Sequence, residues 1–151
     1  MKELNCCIII PTYNNCNTIE RVIEGVLEFA EASDIILVND GATDETPLLL
    51  EQYKSSINIL TNPVNQGKGI SLRKAFKKAI EMGFDNAITI DSDGQHYPED
   101  IPLFLEAAKK HSGALIMGSR NMDQEGVPSK SSFGNKFSNF WFKVETGITL
   151  P

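Results

Sequence analysis

The chain has no excess of positive charge, no apolar run of membrane-spanning length and too few cysteines for a disulfide scaffold. Its 151 residues carry 14 Lys and Arg against 20 Asp and Glu, a formal charge of −6. A nucleic-acid binder normally presents a basic stripe, so bulk electrostatics argue against nucleic acid as a partner. No stretch approaches the ~20 apolar residues of a spanning helix, and Met1-Lys2-Glu3-Leu4-Asn5 is no secretory signal. The three cysteines, Cys6, Cys7 and Cys16, are odd in number and form no C-x-x-C pair, which favours reduced thiols and a cytoplasmic location. Neither of the two histidines, His96 and His111, can be paired with a thiol from sequence, so Cys6 and Cys7 read as small core residues rather than nucleophiles.

What is present is ordinary globular material, with 41% hydrophobic and 23% charged residues in about one domain's length. Short apolar runs at residues 4–10, 35–38, 57–60, 87–90 and 114–117 predict five strands. Helical patterns fall between them. Ile19, Val22, Ile23, Val26, Leu27 and Ala30 share one face behind a cap at Asn17 or Thr18, and Thr46-Pro47 opens a second helix. Leu72, Ala75, Phe76, Ala79 and Ile80 form a third stripe that ends near Gly83, and residues 101–110 a fourth helix. This alternation implies an α/β fold with a mainly parallel sheet and helices on both faces.

From residue 121 the chain turns polar, then aromatic, with Phe133, Phe137, Phe140, Trp141 and Val144 on one helical stripe flanked by Lys136 and Lys143. Core packing is the plain reading of that stripe. A peripheral membrane contact through residues 133–144 is the sharper one, because aromatic rings beside lysines suit a lipid interface.

Ligands of an open parallel sheet collect outside the carboxyl ends of its strands. Here those ends supply Pro11-Thr12-Tyr13, Asn39-Asp40, Thr61-Asn62, Asp91-Ser92-Asp93 and Gly118-Ser119-Arg120. Asp40, Asp91 and Asp93 on one rim would repel each other, raising a carboxyl pKa unless a cation or ligand relieved the repulsion. Two carboxylates spaced two apart at a strand end, with Gln95 adding an amide oxygen, suit a hard divalent ion such as Mg²⁺ or Mn²⁺ shared with substrate phosphates. The bland alternative is an Asp/Gly turn. A calcium loop fails on His96 and Pro102, which stand where glycine and the bidentate glutamate are required. An aspartyl-phosphate phosphatase would carry its D-x-D on the first strand, with Thr or Val in place of Gln95. Tyr13 could stack on a nucleobase, Asp40 could accept from base or ribose, and Arg120 could clamp a diphosphate with its planar fork.

Together, Ile8-Ile9-Ile10-Pro11-Thr12-Tyr13-Asn14, Val38-Asn39-Asp40-Gly41-Ala42-Thr43-Asp44, Asn65-Gln66-Gly67-Lys68-Gly69, Asp91-Ser92-Asp93-Gly94-Gln95-His96 and Gly118-Ser119-Arg120 resemble the inverting family 2 glycosyltransferases, especially the polyprenyl-phosphate branch. The resemblance implies a Rossmann-like GT-A fold, with residues 1–120 as the nucleotide-sugar-binding core and 121–151 as the start of an acceptor-side region. It implies a nucleotide-diphosphate sugar donor held by Pro11, Tyr13, Asn15, Asp40, Asp91, Ser92 and Arg120. Asp91, Asp93 and Gln95 would hold Mg²⁺ or Mn²⁺, with Asp93 and Arg120 acting in catalysis.

Gln95-His96-Tyr97-Pro98-Glu99-Asp100 matches the polyprenyl-phosphate branch, which implies a lipid-phosphate acceptor and work at the cytoplasmic face of a membrane. The chain departs from the family at Asn39, where an acidic residue is usual, and at Asn15, where a glutamate is common. It also stops at Leu150-Pro151, before the family's Asp-x-x-Ser/Thr-Gly-Phe-Arg/Lys segment, so the fold is expected to be truncated on the acceptor side. A nucleotide-sugar-binding module without transfer activity is the alternative. A nucleotidyltransferase would need a glycine-rich, basic loop where Pro11-Thr12-Tyr13-Asn14 stands.

Overall fold

The computed structural model describes residues 1–118, of which Met1–Ala114 form one compact unit. Ser119, Arg120 and the aromatic stripe of residues 133–144 lie outside the described residues.

Four parallel strands form the sheet in the order β3-β2-β1-β4: β1 (Cys6–Thr12), β2 (Ile35–Asn39), β3 (Asn58–Thr61) and β4 (Asn86–Thr89). Every residue of β1 and β2 is buried, as expected of central strands covered on both faces. Side chains divide between the faces with period two. Ile8, Ile10, Ile35 and Leu37 pack with Ile19, Val22, Ile23 and Val26 of α1 (Ile19–Leu27), with Leu50 of α2 (Thr46–Leu50) and with Ile101 of α4 (Ile101–Lys110). On the other face, Cys7, Ile9, Ile36 and Val38 meet Ala75 and Ala79 of α3 (Lys68–Glu81). Helices thus cover both faces, as the alternating pattern predicts.

The α3 stripe differs from expectation. Ser71, Ala75 and Ala79 face the sheet, while Phe76 and Ile80 are exposed. At 100° per residue, a face centred on 71, 75 and 79 turns 76 and 80 toward its edge, and small residues let the helix axis approach the strands. Leu27 is likewise exposed at the end of α1. Residues 114–117 do not form the fifth expected strand: they carry no strand hydrogen bonding, and Leu115 is 88% exposed. A four-residue apolar run becomes a strand only where a neighbouring ladder and a covering layer stabilise it. Among the described residues no helix is long and apolar enough to cross a membrane.

This order creates the place for a site. The chain winds from β1 outward to β2 and β3, then returns to add β4 on the opposite side of β1, and α1 and α3 lie on opposite faces. The crevice outside the carboxyl ends of β1 and β4 is therefore a topological switch point.

Candidate functional site

A cleft of about 300 Å³ opens at that switch point, lined by Pro11, Thr12, Tyr13 and Asn15 after β1, Asp40 after β2, and Asp91, Ser92 and Asp93 after β4. Asn65, Gly67, Lys68 and Ser71 close it from the β3–α3 side. A larger hollow of about 460 Å³ lies at the amino ends of the strands, around Asn5, Glu31 and Phe84. It collects no group of residues singled out by the motifs, and strand amino ends are not where open α/β sheets bind ligands.

The β1 and β4 loops are tied to each other through the buried Ser92. Asn15 Nδ2 donates to Ser92 Oγ at 2.6 Å, and Thr18 Oγ1 donates to the Ser92 carbonyl at 2.6 Å. Asn15 and Ser92 are therefore brought together as neighbours in the cleft wall. Tyr13, 43% exposed, lines the cleft. Thr12 is buried at the end of β1, and its Oγ1 has no hydrogen-bond partner among the described residues.

Asp40 is buried, and its carboxylate holds the β3–α3 loop. Oδ1 accepts from Asn62 Nδ2 at 2.6 Å and the Gln66 N–H at 3.0 Å, and Oδ2 accepts from the Gly67 N–H at 2.8 Å. Lys74 continues the chain of contacts, donating to Asn62 Oδ1 at 2.5 Å and to Gln66 Oε1 at 2.8 Å. Burial pushes the Asp40 carboxyl up, but the hydrogen bonds from Asn62, Gln66, Gly67 and Ser71 outweigh it and hold the pKa below its ordinary value. For Asp40 the expected upward shift from mutual repulsion is thus reversed, because donors rather than other carboxylates surround it.

Gly41, at φ +68°, lets the chain turn away from Asp40, and a Cβ there would lie 2.4 Å from the Val64 carbonyl carbon. Asn39, the position where an acidic residue is common, turns its side chain to the same loop and accepts from the Ala42 N–H at 2.9 Å.

At the end of β4, both oxygens of Asp91 contact Lys68 Nζ, at 2.7 and 2.8 Å. The Asp91 N–H donates to His96 Nδ1 at 3.0 Å, which makes Nδ1 the unprotonated nitrogen. Asp93 is exposed and accepts the Gln95 N–H at Oδ1, 2.9 Å, and among the described residues Oδ2 has no partner. Gln95 is exposed and does not line the cleft, so its contribution to the turn is this main-chain bond. Lys68 and His96 are the residues whose roles the motifs alone did not assign. The signal for Lys68 is its place between two glycines in the Gly67-Lys68-Gly69 loop.

Among the described residues no three His, Cys, Asp or Glu side chains gather closely enough to hold a metal ion. The two carboxylates at the β4 end still fit Mg²⁺ or Mn²⁺, which are commonly bound by one or two carboxylates with the rest of the shell supplied by water and phosphate. A cation, the Lys68 ammonium, already stands on one of them.

The model of glycosyl transferase family 2 matches residues 7–147. The chain belongs to that family. This family 2 chain is 29% identical over 117 residues to the undecaprenyl-phosphate mannosyltransferase of Micrococcus luteus, covering 76% of the chain and 47% of that protein. It is 33% identical over 155 residues to the undecaprenyl-phosphate 4-deoxy-4-formamido-L-arabinose transferase of Pectobacterium carotovorum, covering 97% and 45%. The chain thus spans about half the length of these curated relatives.

Among solved structures, residues 1–349 of S. aureus TarS superpose with a TM-score of 0.60 at 23% identity, over 82% of this chain and 38% of that one. Glucosyl-3-phosphoglycerate synthase from Mycobacterium tuberculosis, solved with Mn²⁺, uridine diphosphate and glucosyl-3-phosphoglycerate, superposes at 0.57 and 23% identity, over 72% and 40%. The architecture is therefore the GT-A fold that the motifs imply, over part of those chains.

Proposed function

We propose that this family 2 chain is the donor-binding part of a glycosyltransferase that moves a sugar from a nucleotide diphosphate to an acceptor with inversion. The observation that carries the reading is the meeting of Tyr13, Asp40, Asp91 and Asp93 in one cleft at the β1/β4 switch point. Tyr13 would stack on the base, and Pro11, Asn15 and Ser92 would shape the wall beside it. Asp40, whose carboxylate fixes the Gln66–Gly67 turn, would act on the nucleoside mainly by positioning that turn.

Asp91 and Asp93 would hold Mg²⁺ or Mn²⁺ against the diphosphate, with Gln95 able to join only if its side chain turns into the cleft. When bound, such an ion neutralises charge developing on the departing diphosphate. Arg120, outside the described residues, is the further phosphate contact that the family pattern implies.

The names of the undecaprenyl-phosphate relatives support a polyprenyl-phosphate acceptor. Under this proposal the reaction takes place at the cytoplasmic face of a membrane, to which residues 133–144 would attach. A lipid phosphate is already ionised and needs no strong general base. That suits a cleft whose nearby imidazole, His96, has Nδ1 occupied by a main-chain N–H. The second reading is a nucleotide-sugar-binding module without transfer.

A panel of nucleotide sugars measured by thermal shift and calorimetry, with and without Mn²⁺, tests the donor. A metal-dependent hit that Asp93→Ala makes metal-independent supports the site, and equal metal-independent binding in both proteins removes it. Transfer to a polyprenyl phosphate separates the enzyme from the binding module.

A further inference from the structure

We propose that Lys68 is a resident counter-ion of the donor site, holding Asp91 until a nucleoside diphosphate with its divalent cation displaces it, and then engaging the phosphates. The inference rests on the donor reading above and extends it to a residue to which that reading gives no role.

The backbone at Lys68 is fixed before its side chain is considered. It is the first residue of α3, and the preceding N–H groups of Gln66 and Gly67 are both bound to the buried Asp40 carboxylate, at 3.0 and 2.8 Å. From that anchored point the side chain reaches across the cleft, and Nζ meets both Asp91 oxygens at 2.7 and 2.8 Å. The two residues are 23 apart in sequence and belong to different strand ends, so the contact is made by the fold.

Its electrostatic consequence follows from the inventory of the cleft. Asp40, Asp91 and Asp93 line it, and Lys68 is the one cationic side chain that lines it with them among the described residues. Asp40 is satisfied by protein donors and Asp93 is partly satisfied by the Gln95 N–H, which leaves Asp91 as the carboxylate the ammonium neutralises. The pair is accessible, with side chains 58% exposed for Lys68 and 29% for Asp91, so solvent screening makes it a weak tie that can open.

A divalent ion at Asp91 and an ammonium on the same carboxylate exclude each other by like charge. Metal alone must therefore compete with Lys68. A diphosphate changes the balance, because it offers the released ammonium a new anion within the same cleft. Metal and nucleotide then favour each other, and the coupling is reciprocal. Lys68 thus weakens the binding of metal alone and strengthens that of nucleotide, opposite effects that a purely structural role would not produce.

The test compares the full chain with Lys68→Met and Lys68→Arg, after circular dichroism has shown equal folding. Mn²⁺ binding is followed by electron paramagnetic resonance, and UDP and GDP binding by calorimetry with and without Mn²⁺. The expected result is Mn²⁺ alone bound roughly 3–10-fold more tightly by Lys68→Met, with nucleotide bound roughly 10-fold more weakly and Lys68→Arg close to wild type. Unchanged or weaker Mn²⁺ binding by Lys68→Met, or no Mn²⁺ binding by any of the three, overturns the proposal. If wild type binds Mn²⁺ but neither nucleotide, the donor reading fails and the phosphate half of the proposal with it, while the Mn²⁺ comparison still decides the counter-ion half.

Discussion

Thr18, the residue before α1, donates its hydroxyl to the carbonyl of Ser92 and accepts no N–H from the first turn of its own helix. A residue placed to cap a helix instead bridges the helix to the D-x-D turn 74 positions away. The N-terminus of α1 is closed at the main-chain level, through the Thr18 and Ile19 N–H groups on the Asn15 carbonyl at 3.1 and 3.0 Å. Thr18→Val is expected to leave α1 intact and to cost about 1 kcal/mol, the usual worth of one part-buried hydrogen bond. It should weaken nucleotide binding by loosening the Asp91–Asp93 turn. Urea denaturation and calorimetry on the same variant check both halves.

Asp44 gives a pH signature. Burial raises its carboxyl, but the hydroxyl and N–H of Thr46 and the N–H of Cys16 outweigh burial and bring the pKa from 3.8 down to about 2. A depressed carboxyl stabilises the fold above its unfolded pKa, and that stability is lost as pH falls through the folded value. The loss should therefore run between about pH 4 and pH 2. Asp44→Asn is expected to destabilise by about 1–2 kcal/mol at pH 7 and by much less at pH 2. Equal destabilisation at both pH values in chemical denaturation would contradict the assignment.

Thr12 supplies a prediction of the opposite sign. Its buried hydroxyl has no partner among the described residues, and an unmade hydrogen bond is a cost that an apolar isostere removes. Thr12→Val should be neutral or stabilising by up to about 1 kcal/mol in denaturant titrations. A loss above that size would mean that the hydroxyl has a partner in solution.

The thiols should separate by reactivity. Burial pushes Cys7 up to about 12 and Cys6 upward, while the Asp44 carboxylate beside Cys16 raises that thiol. In iodoacetamide at pH 8, Cys16 should react alone and more slowly than free cysteine, and Asp44→Asn should speed it. Peptide mapping of the alkylated protein reads this directly.

Much of the frame was legible from residue pattern alone. Continuous apolar runs at β1 and β2 mark strands buried on both sides, and Ile19, Val22, Ile23 and Val26 mark the face that covers them. The strand-end rule gathers Pro11, Tyr13, Asp40, Asp91 and Asp93 from sequence order alone, and all five line the cleft. Helical rotation was harder. Phe76 and Ile80 lost the core position to Ala75 and Ala79 because closeness of approach outweighs side-chain size, and periodicity does not report that distance. Contacts between loops were not legible at all. Asp40 with Gly67 and Lys68 with Asp91 depend on how far two strand ends stand apart and on which way each loop turns.

Gly41 determines what kind of selectivity such a cleft can have. Two main chains touch where its side chain would be, 2.4 Å from the Val64 carbonyl carbon, and Asp40 beside it is bonded to the loop those atoms begin. Neither wall can give way without breaking the other's hydrogen bonds. A nucleoside seated against this wall, as proposed above, would meet a lock rather than a glove, and discrimination would come from exclusion instead of from adaptation to each ligand.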